Sequence, residues 1–339
     1  MPLRTSPAAI RVAIAGCGRI AFLLEQDPLR YKPCTHLGAL RVLAQKDRKI
    51  KPVAFFDPNR SRARAAAAFL GAAEDTVMDS YAGLLAHKPD LLIIAASTAG
   101  HFDLLTGALR AKVPRIVIEK PVAYSASEAQ KLRRLVLRHK SLVMPNYERR
   151  YHPKYIRLKQ QIATAAQPPF YRGFFAAGGV SLYATNDGDE GVLLHDTTHL
   201  VDLAQFLFGA VKKHSAVAGK RRHVLHLEHA GGAAGLIETN LDIGVFHLEL
   251  EIRLSDRRIT VGNGFQTTER IAASRYYRNL KSYSEPQRAA DARIPVAKNP
   301  FVQLYREALY GKPDNAHFLE ALDNVILLDG QRLALPIRR

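Results

Sequence analysis

The strongest constraint on the fold is a regular beat of short apolar runs and helical stretches that fills the first 145 residues. IRVAIAG (10–16) is a β-branched run that stops at glycine and reads as a buried strand. KPVAFFDPN (51–59) reads as a second strand closed by an Asp-Pro turn, and SRARAAAAFLG (61–71) as an alanine-rich helix stopped by Gly71. DLLIIAAS (90–97) is a strand, HFDLLTGALRAK (101–112) a helix, RIVIEKP (115–121) a strand and SASEAQKLRRLVLRHK (125–140) a helix. That last helix opens on Ser125-x-x-Glu128, a capping-box pattern. SLVMPN (141–146) closes the series. Strands alternating with helices predict a parallel, doubly wound α/β sheet over residues 1–146.

From residue 147 to 339 the pattern changes. PKYIRLKQQIATAA predicts a helix, FYRGFFAAG a strand and HLVDLAQFLFG a helix closed by Gly209. HSAVAGKRR, HVLHLEH, AAGLIETNLDI, FHLELEIRLS and RRITVGNG then read as successive strands between glycine and Asn/Asp turns. Strand after strand predicts a second domain of α+β type, with a large, mostly antiparallel open sheet. A final helix is expected at about 314–329. At 339 residues the chain is long enough for two such domains.

Gly16-Cys17-Gly18-Arg19-Ile20-Ala21 is G-x-G-x-x-A placed directly after the first strand. In that position the first glycine allows a tight turn, the second lets a pyrophosphate approach the backbone, and the small third residue permits close helix packing. The amino-terminal domain is therefore expected to be of the dinucleotide-binding Rossmann type. The acidic residue that meets the adenosine ribose should follow by about 20 residues, and the best candidate, Asp57, stands 41 after Gly16. The excess lies in residues 22–36, too polar and proline-broken for a helix, which are expected as a loop inserted at the carboxyl edge of the sheet. Asp57 is also good turn chemistry before Pro58. As a ribose acceptor it favours NAD; Arg60, Arg62 or Arg64 could instead meet the 2′-phosphate of NADP.

Charge is distributed unevenly. Residues 1–170 hold 28 Lys/Arg against 12 Asp/Glu, whereas 171–339 hold 21 against 19. A basic excess in one half suits an anionic partner such as a phosphorylated cofactor, or a solubilising surface. No helix-turn-helix, zinc finger or basic arm supports nucleic-acid binding. The two cysteines, Cys17 and Cys34, make no disulfide framework, which points to a reducing, cytoplasmic setting, and the first residues carry no signal-peptide pattern. LLIIAA (91–96), the longest apolar run, is too short to span a bilayer.

Two further places carry chemistry. Glu119-Lys120-Pro121 ends a strand at the ligand edge, where a lysine beside a carboxylate can orient or protonate a hydroxyl or carbonyl. In GVLLHDTTHLVDL (191–203), His195, Asp196 and His199 spell H-D-x-x-H, one methylene from the H-E-x-x-H of zinc hydrolases. A zinc site also needs a third ligand, and the nearby candidates lie in segments that read as strands, so no metal is expected. If the segment is helical, His195 and His199 share a face and Asp196 points about 100° away from His195.

In order, the glycine loop, Thr98 and His101, Glu119-Lys120-Pro121, Arg149-Arg150-Tyr151-His152-Pro153 and His199-x-x-Asp202 resemble the Gfo/Idh/MocA family of NAD(P)-dependent oxidoreductases. Members act mostly on sugars, cyclitols and their derivatives. The resemblance implies NAD or NADP as cofactor, a small sugar-like substrate, a homodimer or homotetramer, and a final helix packed back on the Rossmann domain. It implies that Gly16, Gly18, Arg19 and Ile20 cradle the pyrophosphate. Ser97, Thr98, His101 and Glu119 would line the nicotinamide side, with Arg150 and Tyr151 toward the substrate. Lys120 would contact the reacting oxygen and His199 would be the acid/base, with His195 and Asp196 beside it. The chain departs from the family pattern in three places: His195 stands where members keep an Asp or Asn, Asp189-Glu190-Gly191 replaces a triple glycine, and Ala99 replaces a proline. A cofactor-binding regulator of the same fold is the rival reading, and a zinc hydrolase using His195 and His199 a remote one.

Overall fold

A computed structural model describes residues 9–177, 193–219, 222–291, 293–312 and 314–333. The chain divides into two compact units. The first holds Met1–His152 and Pro295–Asp323; the second holds Pro153–Ile294 and Asn324–Arg339. The first unit thus runs past residue 146 and recruits a segment from near the carboxyl end.

In the first unit the apolar runs become strands β1 (Ile10–Ala15), β2 (Ile50–Phe56), β3 (Leu91–Ile94), β4 (Arg115–Ile118) and β5 (Leu142–Pro145). They form one parallel sheet in the order β2-β1-β3-β4-β5. Residues 12–15 and 91–94 are fully or almost fully buried, as expected for strands covered on both faces. Around the sheet lie helices α1 (His36–Lys46), α2 (Arg60–Phe69), α3 (Tyr81–Ala86), α4 (Thr98–Arg110) and α5 (Ala126–Arg138). Their starts follow capping chemistry: Asn59 accepts from the Ser61 and Arg62 amides, Ser80 from that of Gly83 and Ser125 from that of Glu128. The capping box at Ser125 closes one residue early, since the Glu128 carboxylate accepts from the Tyr124 amide at 2.8 Å rather than from that of Ser125.

The inserted segment proves to be built into a helix. It contains a short 3₁₀ turn, Leu23–Gln26, and α1 begins at His36. The His36 and Leu37 amides donate to the carbonyls of Ile20 and Ala21 at 3.2 and 2.9 Å, so α1 takes up the turn that began at Gly18. The loop therefore ends at Thr35, and His36 is a buried helical residue. The base of the loop is tied: the Glu25 carboxylate accepts from the Cys34 amide (3.0 Å) and the Thr35 hydroxyl (2.7 Å).

The second unit opens with α6 (Pro153–Ala163), β6 (Phe170–Ala177) and α7 (Thr198–Phe208). It continues with β7 (Val211–Ala218), β8 (Arg222–His229), β9 (Ala234–Asn240), β10 (Phe246–Arg253), β11 (Arg257–Gly262), β12 (Phe265–Ala273), β13 (Lys281–Tyr283) and β14 (Gln287–Ala290). The sheet runs β13-β12-β11-β10-β6-β9-β8-β7, with β14 on β12, and is antiparallel except where β6 pairs with β9. In β8 and β10 alternate residues are buried, the signature of a sheet covered on one face. Tyr171, buried on β6, stacks on Phe208 at 4.4 Å and donates its hydroxyl to His229 Nε2 (2.8 Å), while His229 Nδ1–H donates to the Gly209 carbonyl (2.7 Å).

Two helices end the chain, α8 (Pro300–Tyr310) and α9 (Ala316–Leu333). The apolar face of α8 (Phe301, Val302, Leu304, Tyr305, Ala308 and Leu309) fills the core of the first unit beside β1 and α1. Its cap, Asn299, accepts from the Phe301 and Val302 amides and donates to the Pro33 carbonyl at 2.9 Å, fastening the inserted loop. Within the same unit, His317 of α9 packs on Tyr147 and Glu320 pairs with Arg150.

Candidate active site

The strand order reverses between β1 and β3, and in an open α/β sheet ligands bind at the carboxyl ends of such strands. Gly16 sits there with φ +90°, and a Cβ on it would lie 2.4 Å from the Ala96 nitrogen and 2.5 Å from the Ala95 carbonyl carbon. Only glycine permits this turn and this approach of two backbones. Gly18 is different, since a Cβ there would meet nothing within 4 Å. That open face, together with the Gly18 and Ile20 amides, for which the described residues provide no partner, fits a pyrophosphate. Cys17, between the glycines, is a buried thiol whose pKa is pushed up by burial and by Asp57, so it stays protonated.

Asp57, at the end of β2, uses both oxygens on backbone: Oδ2 accepts from the Cys17 amide and Oδ1 from the Asn59 amide, each at 2.8 Å. It shapes both the glycine loop and the turn into α2, and its side chain is half-buried between them. Arg60 pairs with Asp79, and Arg64 with Glu74 at 3.0 Å.

The next strands supply the reactive edge. Ser97 is exposed at the start of α4, whereas Thr98 and His101 are buried. His101 Nδ1 lies 2.8 Å from the Pro121 carbonyl and Nε2 3.0 Å from that of Ala96. Burial drives its pKa down against those two carbonyls and Glu119, so the ring is neutral and donates to only one of them. Glu119, buried at the end of β4, accepts at Oε1 from Asn146 Nδ2 (2.5 Å) and pairs with His36 Nε2 (2.7 Å). His36 Nδ1 meets the Tyr305 hydroxyl at 2.6 Å. Burial opposes the charge of Glu119, but the hydrogen bond and charge of His36, the Asn146 amide and the Lys120 ammonium hold its carboxyl below the usual range. A lysine following a carboxylate that is held below its ordinary pKa range and fixed by two hydrogen bonds is the central chemical feature of this edge. His36, Asn146 and Tyr305 escaped the sequence reading; the one available signal was that a buried strand-end glutamate must find donors somewhere.

The Arg150 side chain is 10% exposed and its Nη1 pairs with Glu320 at 2.7 Å, while Tyr151 packs against the core of the first unit.

In the second unit Leu193–Thr197 form a single π-helical turn that leads into α7. The helical alternative for His195 and His199 therefore holds, and widened turns of this kind recur at functional sites. Asp196, however, does not diverge from its neighbour, because His195 Nδ1 and Asp196 Oδ1 meet at 2.8 Å. His195 thus has a carboxylate partner beside it in sequence. The His199 ring stacks on Phe175 at 6.2 Å, and Asp202 is buried. Asp189, Glu190 and Gly191 lie outside the described residues. Among the described residues no three His, Cys, Asp or Glu side chains group as metal ligands.

Sheet order, glycine loop and strand-end carboxylate together define a dinucleotide-binding domain of the Rossmann type. Residues 10–147 match the model of the oxidoreductase family with NAD-binding Rossmann fold named for Gfo, Idh and MocA. It is similar to an inositol 2-dehydrogenase of Rubrobacter xylanophilus, 26% identical over 223 residues that span 62% of this chain and 62% of that protein. The match thus covers just under two thirds of that relative. A scyllo-inositol 2-dehydrogenase (NAD(+)) of Bacillus subtilis is 25% identical over 246 residues, 68% of this chain and 67% of that protein. An inositol dehydrogenase homologue of Azotobacter vinelandii, solved with NADH and myo-inositol, shares the fold with a TM-score of 0.72, at 19% identity and 96% coverage of both chains.

Proposed function

We propose that the protein is an NAD-dependent dehydrogenase that oxidises a secondary alcohol of a cyclitol or sugar. The observation that carries this reading is Lys120 beside the ionised, anchored Glu119 at the edge of an NAD-binding sheet. The inositol dehydrogenases it resembles support a polyol as substrate. NAD, when bound, supplies the hydride acceptor. The amides around Gly18 bind the pyrophosphate, and Asp57 accepts from the ribose 2′-hydroxyl. A carboxylate at that place repels a 2′-phosphate, and Arg60 and Arg64, each already paired with an acid, do not offset it, which favours NAD over NADP.

Lys120 donates to the oxygen of the alcohol carbon, lowering the cost of its deprotonation. His199 takes the hydroxyl proton, and the His195–Asp196 pair holds a second imidazole beside it on the helix. The reading includes a homodimer or homotetramer and a cytoplasmic setting. Two free thiols are consistent with the latter, and no helix among the described residues is long and apolar enough to cross a membrane. Light scattering tests the assembly.

Steady-state oxidation of myo-inositol, scyllo-inositol and a panel of sugars with NAD and with NADP tests the activity. His199→Ala is expected to lower kcat by about 10²- to 10⁴-fold with NADH affinity unchanged. No turnover with any polyol, alongside tight NADH binding, would favour a cofactor-binding regulator. A His199→Ala variant as fast as the parent would remove that histidine from the chemistry.

A further inference from the structure

A buried polar chain crosses the first unit and ends on Glu119, the residue before Lys120, and the reaction as proposed uses only that last member. Its members come from four elements: Tyr305 from α8, His36 from the start of α1, Glu119 from the end of β4 and Asn146 from the end of β5. His36 and Tyr305 are fully buried, and Glu119 and Asn146 nearly so. The His36 ring also meets Tyr305 and Phe301 edge-on, with centroids 5.9 and 5.6 Å away, so its plane is fixed by aromatic walls as well as by hydrogen bonds.

The chain has a direction. The Tyr305 hydroxyl has no other partner among the described residues, and burial together with the charge of Glu119 keeps it protonated. With a neutral His36, Tyr305 O–H donates to Nδ1 and the proton on Nε2 is presented to Glu119. With a charged His36, both ring nitrogens donate and the tyrosine oxygen accepts. Either state delivers a donor to the same carboxylate oxygen that Asn146 serves from the other side. Burying a carboxylate is costly, and a strand end that needed only filling would be served by an apolar side chain of similar size. Three separate elements instead converge to keep an anion in place next to Lys120.

We propose that His36 and Tyr305 are positioning residues for Lys120, their hydrogen-bonded chain anchoring the Glu119 carboxylate as a fixed counter-charge beside the lysine. The inference rests on the proposed role of Lys120 in contacting the reacting oxygen. Weakening the chain leaves Glu119 with fewer donors in a buried place, so it takes up a proton at higher pH. A carboxylate released from its fixed place also stands less closely against Lys120, whose ammonium form then loses support at every pH. The effect should be largest for His36→Gln, which breaks both bonds of the ring's relay geometry, and smaller for Tyr305→Phe, which removes only the far hydroxyl.

The test uses the full chain carrying His36→Gln or Tyr305→Phe, with two readouts. In the pH profile of kcat for polyol oxidation, the acid limb should move to higher pH in both variants while the NADH dissociation constant stays within twofold of the parent. In the cofactor-free protein, reductive ¹³C-methylation marks the lysines, and a Lys120→Arg control identifies the Lys120 resonance. Its titration midpoint should fall by about one pH unit in His36→Gln, the size expected for losing a nearby opposite charge. Variants that are less stable yet keep the parent's acid limb and Lys120 midpoint would make the chain purely architectural and overturn the proposal. Should the parent oxidise no polyol, the dehydrogenase reading fails separately. The Lys120 midpoint then decides alone: a downward shift upholds the anchoring role, and an unmoved midpoint overturns it.

Discussion

The two units treat buried polarity in opposite ways. The first covers both faces of a parallel sheet, so the buried stretches of its strands are apolar and its buried polar side chains gather where the strands end. Asp57, Glu119 and Asn146 all stand at such ends, each bonded to another element. The second unit covers one face of an antiparallel sheet, and its polar side chains alternate along the strands, as Glu249 and Glu251 do between Leu248, Leu250 and Ile252. Its buried polar contacts are latches between neighbours, such as Tyr171 with His229 and Thr197 with Thr239. A fully covered sheet concentrates chemistry at an edge; a half-covered one spreads it over a surface.

The sharpest way to break this contrast is at the edge itself. Gly16→Ala puts a Cβ into the Ala95–Ala96 backbone at positive φ and should destabilise the first unit by about 3 kcal/mol. NADH binding should be lost with it, while hydrogen exchange in β8 and β10 stays at the parent's level. Loss of protection in both units together would show that the edge strain spreads beyond its own sheet.

Acidification should separate the units next. His223 and His229 in the second unit and His101 in the first all have pKa values held down, chiefly by burial. A histidine with a depressed folded pKa stabilises above its unfolded value and loses that stabilisation as pH falls below about 6.5. Denaturant titrations from pH 7.5 to 5 should therefore show falling stability, with a proton uptake on unfolding that reaches about three. Glu119, also held down, contributes in a lower window and keeps its stabilisation until pH falls below the ordinary glutamate range. Stability flat between pH 7.5 and 5.5 would mean that these rings are charged in the fold.

Smaller effects test single contacts. Tyr171→Phe keeps the stack on Phe208 but leaves His229 Nε2 without its donor, and should cost the second unit about 1–2 kcal/mol in urea unfolding. Arg150→Met loses the pair with Glu320, whose side chain is 39% exposed, and should cost no more than about 1 kcal/mol, with the KM for polyol unchanged. A rise in KM would place Arg150 at the substrate.

Much of the first unit was legible because its signals are local. IRVAIAG, the Asp-Pro turn and the Ser125 cap each declare themselves within a few residues, and the positions of Gly16, Asp57 and Glu119 at strand ends follow from that. The register of the π turn at Leu193–Thr197 was not legible, since a one-residue widening leaves the apolar pattern unchanged. Helix α8 was missed although FVQLYREALY has helical spacing, because the run stands alone after a proline- and charge-rich stretch. The pairing of Arg150 was hidden, since its partner Glu320 lies 170 residues away. The chain from Tyr305 through His36 to Glu119 was out of reach for the same reason, its ends being separated by the whole second unit.

The inserted loop leaves the glycine turn at Ala21 and returns at His36, where two amides rejoin the carbonyls of Ile20 and Ala21. Its two ends therefore meet at hydrogen-bond distance, and the surrounding helix is continuous in space although interrupted in sequence. A segment joined in this way is a cassette. Changes at its tip, away from the Glu25, Pro33 and Thr35 contacts that tie its base, leave these joining bonds in place. Evolution can thus rewrite what stands at the mouth of this sheet while its glycine turn and strand-end carboxylates stay fixed.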